Sequence, residues 1–331
     1  MSRTTMRAVV VTKHGGPEVL EVQDLPAPEP GPGQLLIDVA ASGINFKDVY
    51  EREGAYPRET PFVLGDEPAG RVVALGAGVD GFAPGDAVTS PKAPGAHASL
   101  ALVDAAQAIR VPEGVDLDVA AAVMLQGITA HYLLNSTYPL SAGESALVHA
   151  AAGGVGQLLV QLAKAKGARV VATVGSEAKA EIAKSLGADE VVRYDQVDGT
   201  EALTAAVRDA NGGAAFDVAY DGVGKATFDA SLGALRRRGT MVLYGASSGA
   251  VPPVDPQRLN SGGSLYLTRP TLAHYIADRD ELQWRADDVL RAVADGSLHV
   301  DIGGRYPFER AADAYRDLES RRTTGKLLLV P

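Results

Sequence analysis

The 331-residue chain contains no cysteine. That excludes disulfides, thiolate zinc sites, iron–sulfur clusters and a cysteine nucleophile. Aromatic residues make up only 5%, with a single tryptophan, and no long basic run offsets a formal net charge of −10. A nucleic-acid partner would need a positive face, so the charge balance argues against one. The opening "MSRTTMRAVVVTKHGGPE" lacks a secretory hydrophobic region, and no apolar run reads as the roughly 18–20 residues of a membrane span. There is also no G-x-S-x-G nucleophile elbow and no G-x-x-x-x-G-K-[ST] phosphate loop. The expectation is a soluble cytoplasmic protein.

What is present is apolar material for real cores, 46% of residues, in a length that predicts about two domains. Residues 6–125 read as short strands broken by Gly and Pro: "MRAVVVTKHGG", "QLLIDVAASGIN", "EPAGRVVALGAG", "GDAVTS". This is the pattern of a mainly antiparallel or barrel-like domain. "VPEGVDLDVAAAVMLQGITAHYLL" then switches to helical spacing. From about residue 144 six apolar strand candidates follow: "SALVHA", "ARVVATV", "DEVVRY", "FDVAYD", "TMVLYG" and "GSLYLTR". Helical stretches separate the first four and lead into the fifth. Val155, Leu158, Leu159 and Leu162 form one helical stripe, and Ser176 and Gly187 read as the caps of the next helix. Apolar strands alternating with helices predict a doubly wound parallel sheet that binds its ligand beyond the carboxyl ends of the strands. The boundaries expected are 1–126, 127–268 and 269–331, the last segment packing back on the first.

"HAAAGGVG" follows a strand and opens a helix, with Ala151, Gly153 and Gly156 at the three small positions of a G-x-G-x-x-G turn. There the free N–H groups of a helix N-terminus can receive a pyrophosphate. A tight turn without a ligand is the alternative, and the six-strand context weighs against it. Gly175 stands 22 positions after Gly153, where an acid would hold the adenosine ribose hydroxyls of NAD. In place of a carboxylate come Ser176, a helix start and Lys179, which favours the 2′-phosphate of NADPH. The competing reading leaves Lys179 as an ordinary solvated lysine.

These segments, with "HGGPEVL", "GINFKDVYEREGAYP", "LGDEPAG", "RRRGTMVLYGASSG" and "TTGKLLLVP", resemble the zinc-free quinone oxidoreductases, the zeta-crystallin group of the medium-chain dehydrogenase/reductase superfamily. The resemblance covers essentially the whole chain. It implies an α/β protein with a mainly β, barrel-like (GroES-like) catalytic domain and a six-stranded doubly wound Rossmann domain. Zinc alcohol dehydrogenases of that superfamily place a Cys, a His and a Cys where this chain has Asn45, Asp66 and Leu125, so no metal is expected.

The resemblance also assigns residues. Asn45 and Tyr50 match the nicotinamide end of the cleft and are the catalytic candidates. Gln126 and Thr129 match the helix entering the nucleotide domain. Gly153, Gly154 and Val155 match the pyrophosphate turn. Ser176, Lys179 and Tyr194 match the 2′-phosphate pocket, beside Gly175 at the end of the second strand. Val223, Tyr244, Gly245, Ser247 and Arg269 match the nicotinamide ribose surroundings, and Arg321 a phosphate contact. Tyr244, His131 and Asp66 depart from the family's usual residues, and Asp66 would discourage an anionic substrate. Of the other tempting groups, His149 and His131 read as structural, Glu67 as either an acid or a brace, and Arg269 as facing phosphate. The expected activity is metal-free hydride transfer from NADPH to a quinone or other electrophilic acceptor. The alternatives are an enone, enal or enoyl-thioester reductase, and an NADPH-binding protein with a structural or RNA-binding role. A homodimer is expected through the edge strand of the Rossmann sheet, since an apolar edge is prone to pair.

Overall fold

Short β-branched runs, each stopped by Gly, Pro or Asp, become the strands of the first unit in the computed structural model, which describes residues 4–320 and 322–331. The chain divides into Met1–Ile128 with Asp278–Pro331, and Thr129–Ala277. The sequence reading placed these crossings at 126/127 and 268/269. In the first unit β1 (Thr5–Val11) pairs antiparallel with β2 (Leu20–Pro26), while β3 (Gln34–Gly43) leads into the short helix α1 (Phe46–Arg52). β4 (Phe62–Val63), β5 (Glu67–Leu75), β6 (Ala87–Thr89), β7 (Leu100–Asp104) and β8 (Ile109–Arg110) complete its first half. β3 is the hinge of the arrangement: it pairs antiparallel with both β5 and β7. Leu35, Ile37, Val39, Val72, Val88 and Val103 fill the space these strands enclose.

α2 (Leu117–Tyr132), continued by a π turn over Leu133–Thr137, carries the chain across the division. This Leu117–Thr137 stretch of 21 residues is long and apolar enough to span a membrane, which the sequence reading did not find. It is 72% buried inside the protein, as a core helix is. Its Ala120, Ala121 and Ala122 pack against Ala41 and Ala69, small residues that let the helix backbone approach the sheet closely.

The second unit contains all six expected strands. They are β9 (Ser145–His149), β10 (Arg169–Val174), β11 (Glu190–Arg193), β12 (Phe216–Asp221), β13 (Leu235–Leu243) and β14 (Tyr266–Thr268). Their order is β11-β10-β9-β12-β13-β14, and every pairing is parallel. Between them run α3 (Gly154–Ala165), α4 (Glu177–Ser185), α5 (Thr200–Ala210), α6 (Phe228–Ala234) and α7 (Gln257–Ser261), with α8 (Leu272–Tyr275) after β14. Parallel neighbours cannot be joined by tight hairpins, and these helices supply the crossovers. Ser176 caps α4 as expected, accepting from the Lys179 backbone N–H, and Gly187 follows its C-cap at φ 97°.

The chain then returns to the first unit through α9 (Arg279–Ala294), β15 (Ile302–Pro307), α10 (Ala311–Glu319) and β16 (Lys326–Val330). β16 pairs antiparallel with the end of β3 and parallel with β15. Phe308, Ala314, Tyr315, Leu327 and Leu329 join Val9, Val11, Ile44, Val49 and Leu64 in one core, so the last segment is built into this unit.

The turn after β9 is tight. Ala150 takes a left-handed φ of 52°, costly for a residue with a Cβ, and Gly156 passes directly over its carbonyl. A Cβ at Gly156 would lie far inside contact distance of the Ala150 oxygen and 2.8 Å from the Ala151 Cα, both fixed backbone. Gly156→Ala is expected to cost about 1–3 kcal/mol through overpacking, read as a lowered Tm of the purified protein. An unchanged Tm would mean that the turn can open at little cost.

Candidate active site

In the first unit, three segments converge on the Glu67 carboxylate, which is completely buried. Lys326 Nζ donates to Glu67 Oε2 at 2.6 Å and to Asn45 Oδ1 at 2.8 Å, and Lys326 is itself 2% exposed. Asn45 Nδ2 donates to Glu67 Oε2 at 2.9 Å and to the Gly43 carbonyl at 3.2 Å. The Leu125 backbone N–H donates to Glu67 Oε1 at 2.6 Å. Glu67 is therefore a brace, which settles the choice left open by the sequence. The Asn45 amide is also spoken for, oxygen and both N–H groups. It holds the start of α1 and has no N–H left to position an acceptor carbonyl, the role expected of it.

A second buried chain fixes the same helix. Asp48 Oδ2 accepts from the Asn45 backbone N–H at 2.7 Å and from Tyr315 Oη at 3.0 Å. His97 lies 2.8 Å from Tyr315 Oη through Nε2 and 2.8 Å from Ser42 Oγ through Nδ1. Since the Tyr315 proton goes to Asp48, it is His97 Nε2 that donates to Tyr315 Oη. Burial pushes the Asp48 carboxyl up, but His97 and the Asn45 N–H hold it below the usual carboxylate range.

Asp66 is 3% exposed and pairs with Lys47, whose ammonium also donates to Glu51 Oε1 at 2.5 Å. Burial lowers the Lys47 pKa, but the two carboxylates raise it further, so the ammonium stays charged. Asp66 is thus not the lone negative charge the sequence implied. Tyr50, on α1, stacks at a tilt on Tyr56 with ring centroids 5.3 Å apart.

In the second unit the expected cofactor residues share one edge of the sheet. Gly153, Gly154 and Val155 follow β9, and Gly175, Ser176 and Lys179 follow β10. Tyr194 follows β11, Val223 follows β12, Tyr244, Gly245 and Ser247 follow β13, and Arg269 follows β14. With every strand parallel, all of these are carboxyl ends, where helix N-termini and free backbone N–H groups gather. The N-cap of α3, Gly153, makes no side-chain cap bond, so its first turn offers N–H groups to an anion. Gly175 has to lack a side chain: a Cβ there would sit 2.9 Å from the Tyr194 ring. Gln126 is half-buried on α2 and Thr129 is 8% exposed. Arg269 is exposed and donates to the Pro270 carbonyl at 3.4 Å. Arg321 lies outside the described residues.

Asp221 organises the turn that carries Val223. Its Oδ1 accepts from the N–H groups of Val223 and Gly224 at 2.8 and 2.9 Å, and its Oδ2 from Thr227 at 2.7 Å and Ser231 at 3.0 Å. Ser231 Oγ also lies 2.9 Å from His149 Nε2, and Thr173 Oγ1 lies 2.7 Å from Nδ1. His149 is a satisfied core residue, as expected. Sequence reasoning missed Lys326, Lys47, His97, Tyr315 and the role of Asp221. Only Asp221 carried a local signal, its place before the glycine pair of "DGVG".

An all-parallel six-stranded sheet with an uncapped glycine turn and a polar carboxyl edge, in a chain that also carries a β-rich unit with its own buried polar centre, defines a dinucleotide-dependent dehydrogenase or reductase. Comparison with known proteins narrows the class. The family model described as alcohol dehydrogenase GroES-like domain matches residues 31–113, and that described as zinc-binding dehydrogenase matches 154–285. Quinone oxidoreductase 1 of Escherichia coli is 42% identical over 323 residues, covering 96% of this chain and 98% of its own. A 2-haloacrylate reductase from a Burkholderia species is 39% identical over 332 residues, covering 98% of each. A mycobacterial protein solved in complex with NADPH superposes with a TM-score of 0.95 at 48% identity, covering 98% of this chain and 100% of its own. The chain belongs to the quinone oxidoreductase family of the medium-chain dehydrogenase/reductase superfamily.

Two outcomes follow from the buried groups. Lys326→Met leaves Glu67 as a buried charge without its cation and is expected to cost about 3–5 kcal/mol in denaturant unfolding. Adding Glu67→Gln should recover most of that loss, and equal losses in the single and double variants would rule out the ion pair as the cause. Burial lowers the His149 pKa below the ordinary 6.5, with the Asp221 charge only partly offsetting it. The unfolded chain therefore takes up a proton that the folded chain refuses, and stability falls as the pH drops below about 6.5. His149→Gln should flatten that part of the pH–stability curve, and an unchanged slope would assign the acid sensitivity elsewhere.

Proposed function

We propose that this chain is an NADPH:quinone oxidoreductase that works without a metal. The observation that carries the metal-free reading is the filling of the zinc-ligand positions. Asn45 is bonded to the Lys326 ammonium, Asp66 to the Lys47 ammonium, and Leu125 brings only a backbone N–H to Glu67. Lys326 and Lys47 already pair with Glu67 and Asp66, and the donor set at the three positions lacks the His and thiolate that zinc takes. Among the described residues no cluster of three or more His, Cys, Asp or Glu forms a metal site.

The residues of the second unit fit NADPH. The uncapped α3 turn suits the pyrophosphate, Gly175 leaves room beside Tyr194, and Ser176 and Lys179 open α4 where a 2′-phosphate would meet N–H groups rather than a carboxylate. NADPH, when bound, supplies the hydride. Val223, held by Asp221, and the Gly245 turn, whose Ser247 N–H donates to the Gly222 carbonyl at 3.2 Å, would set the nicotinamide ribose in place. With no metal to polarise a carbonyl, the acceptor has to be electrophilic on its own account. A quinone is, because its reduction produces an aromatic ring. Tyr50, on a helix fixed at both Asn45 and Asp48, is the residue we assign to the acceptor and nicotinamide side, and Asn45 supports it indirectly. The proton comes from water.

A second reading, reduction of an activated alkene, is favoured by the 2-haloacrylate reductase at 39% identity, since hydride addition at a β-carbon needs the same cofactor. A homodimer through β14 fits the exposure of Tyr266, 61%, on an edge strand. NADPH oxidation by 1,4-benzoquinone, with and without EDTA and with NADH alongside, tests the proposal. Expected is chelator-insensitive turnover that prefers NADPH. Loss of activity with EDTA would overturn the metal-free reading, and turnover with 2-chloroacrylate but not with the quinone would favour the second.

A further inference from the structure

The 2′-phosphate pocket has a cation that the family resemblance does not supply. Arg193 is the last residue of β11 and pairs in register with Val174, the last residue of β10, so it lies beside Gly175 and Ser176. Its guanidinium forks onto Asp195, with Nη2 at 2.7 Å and Nε at 3.3 Å. Its remaining arm, Nη1, donates to Glu177 Oε2 at 2.6 Å. Glu177 is the first residue of α4, directly after the Ser176 cap.

The two carboxylates are held differently. Asp195 is bound through two N–H groups and its backbone follows Tyr194 in the same short turn, so it aims the guanidinium. Glu177 is bound through one N–H group, and its side chain is 65% exposed against 24% for Arg193. It can swing into solvent at little cost. A carboxylate at the first position of α4 also lies where the dipole favours any anion, so it stands in the position a phosphate would take.

We propose that Arg193 is a further ligand of the NADPH 2′-phosphate and that Glu177 competes with the phosphate for it. In the free protein Lys179 and Arg193 are balanced by Glu177 and Asp195. When Glu177 swings away, Asp195 keeps the guanidinium oriented, Nη1 turns to the phosphate, and the pocket becomes net positive. NADH has nothing to offer that arm, so Glu177 stays in place. The discrimination then rests on an exchange of one anion for another, and its strength is set by how firmly Glu177 holds on.

This inference rests on the NADPH reading, and calorimetry separates the two. The probes are 2′,5′-ADP and 5′-AMP, which differ at the 2′ position and need no turnover. The wild-type protein should prefer 2′,5′-ADP. Arg193→Gln should reduce that preference about five- to tenfold with 5′-AMP affinity unchanged, the loss of one exposed charge-assisted contact. Arg193→Lys should keep part of it, and Glu177→Gln should raise it by about threefold or more. A preference that survives Arg193→Gln, or a Glu177→Gln variant that binds 2′,5′-ADP more weakly, would overturn the inference and leave the NADPH reading intact. No preference in the wild-type protein would overturn both. Tm values of the variants matching the wild type confirm that these surface changes act on binding.

Discussion

The Glu67 carboxylate is the constraint around which the first unit closes. A buried charge is tolerated only when it is paired and its lone pairs are filled, because its hydration is lost entirely. Here the partners come from the start of α1, from α2 and from β16, the last strand, with Lys326 separated from Glu67 by 259 residues. The polar centre therefore fixes register as well as charge. If β16 slipped by one residue, the Lys326 side chain would turn to the other face of the sheet and leave the carboxylate alone. The same bonds engage both ends of the Asn45 amide, and Asp48 clamps its backbone, so α1 begins at one place and Tyr50 is carried in one direction.

That centre also decides what chemistry the unit can support. A buried carboxylate needs a cation, and Lys326 meets that need at Glu67 as Lys47 does at Asp66. An ammonium satisfies the charge through hydrogen bonds but cannot accept a lone pair from a substrate oxygen as a metal ion can. On the metal-free proposal, an ammonium at these positions supplies charge without Lewis acidity and leaves the reactivity to the acceptor. An electrophilic acceptor is the consistent counterpart of a lysine-filled centre.

The legible parts of the sequence were those decided locally. The six parallel strands follow from apolar runs punctuated by helices, the Ser176 cap from its own side chain, and the glycine turn from the need for backbone without Cβ atoms. The family resemblance added the carboxyl-edge residues, which the all-parallel pairing then places along one border. What stayed hidden was decided by contacts distant in sequence. Lys326 in "TTGKLLLV" looks like any strand-opening lysine, and nothing near it names Glu67 as its partner. Asp66 read as an unbalanced acid because Lys47 lies 19 residues away, a separation that no helical or strand period predicts. The engagement of the Asn45 amide was hidden for the same reason, since it depends on Lys326 and Glu67, both distant in sequence.

The two units use one device to different ends. Asp221, buried like Glu67, takes four donors from the turn and helix that follow it, so the loop carrying Val223 is fixed by a charge that never meets solvent. Its position needs no distant partner, because two backbone N–H groups and two hydroxyls within ten residues satisfy it. Such a centre makes a rigid rim. At the end of the same rim where we propose that the 2′-phosphate binds, Arg193 is held the opposite way, by ion pairs with Asp195 and the exposed Glu177. Rigidity suits the end where hydride geometry must be held to a fraction of an ångström, and exchangeable surface pairs suit the end that has only to tell a phosphate from a hydroxyl. On that division, the proposed changes in cofactor preference at Glu177 and Arg193 should leave the nicotinamide end undisturbed, because the Arg193 guanidinium is anchored to Asp195 and Glu177 while Asp221 is anchored within its own turn.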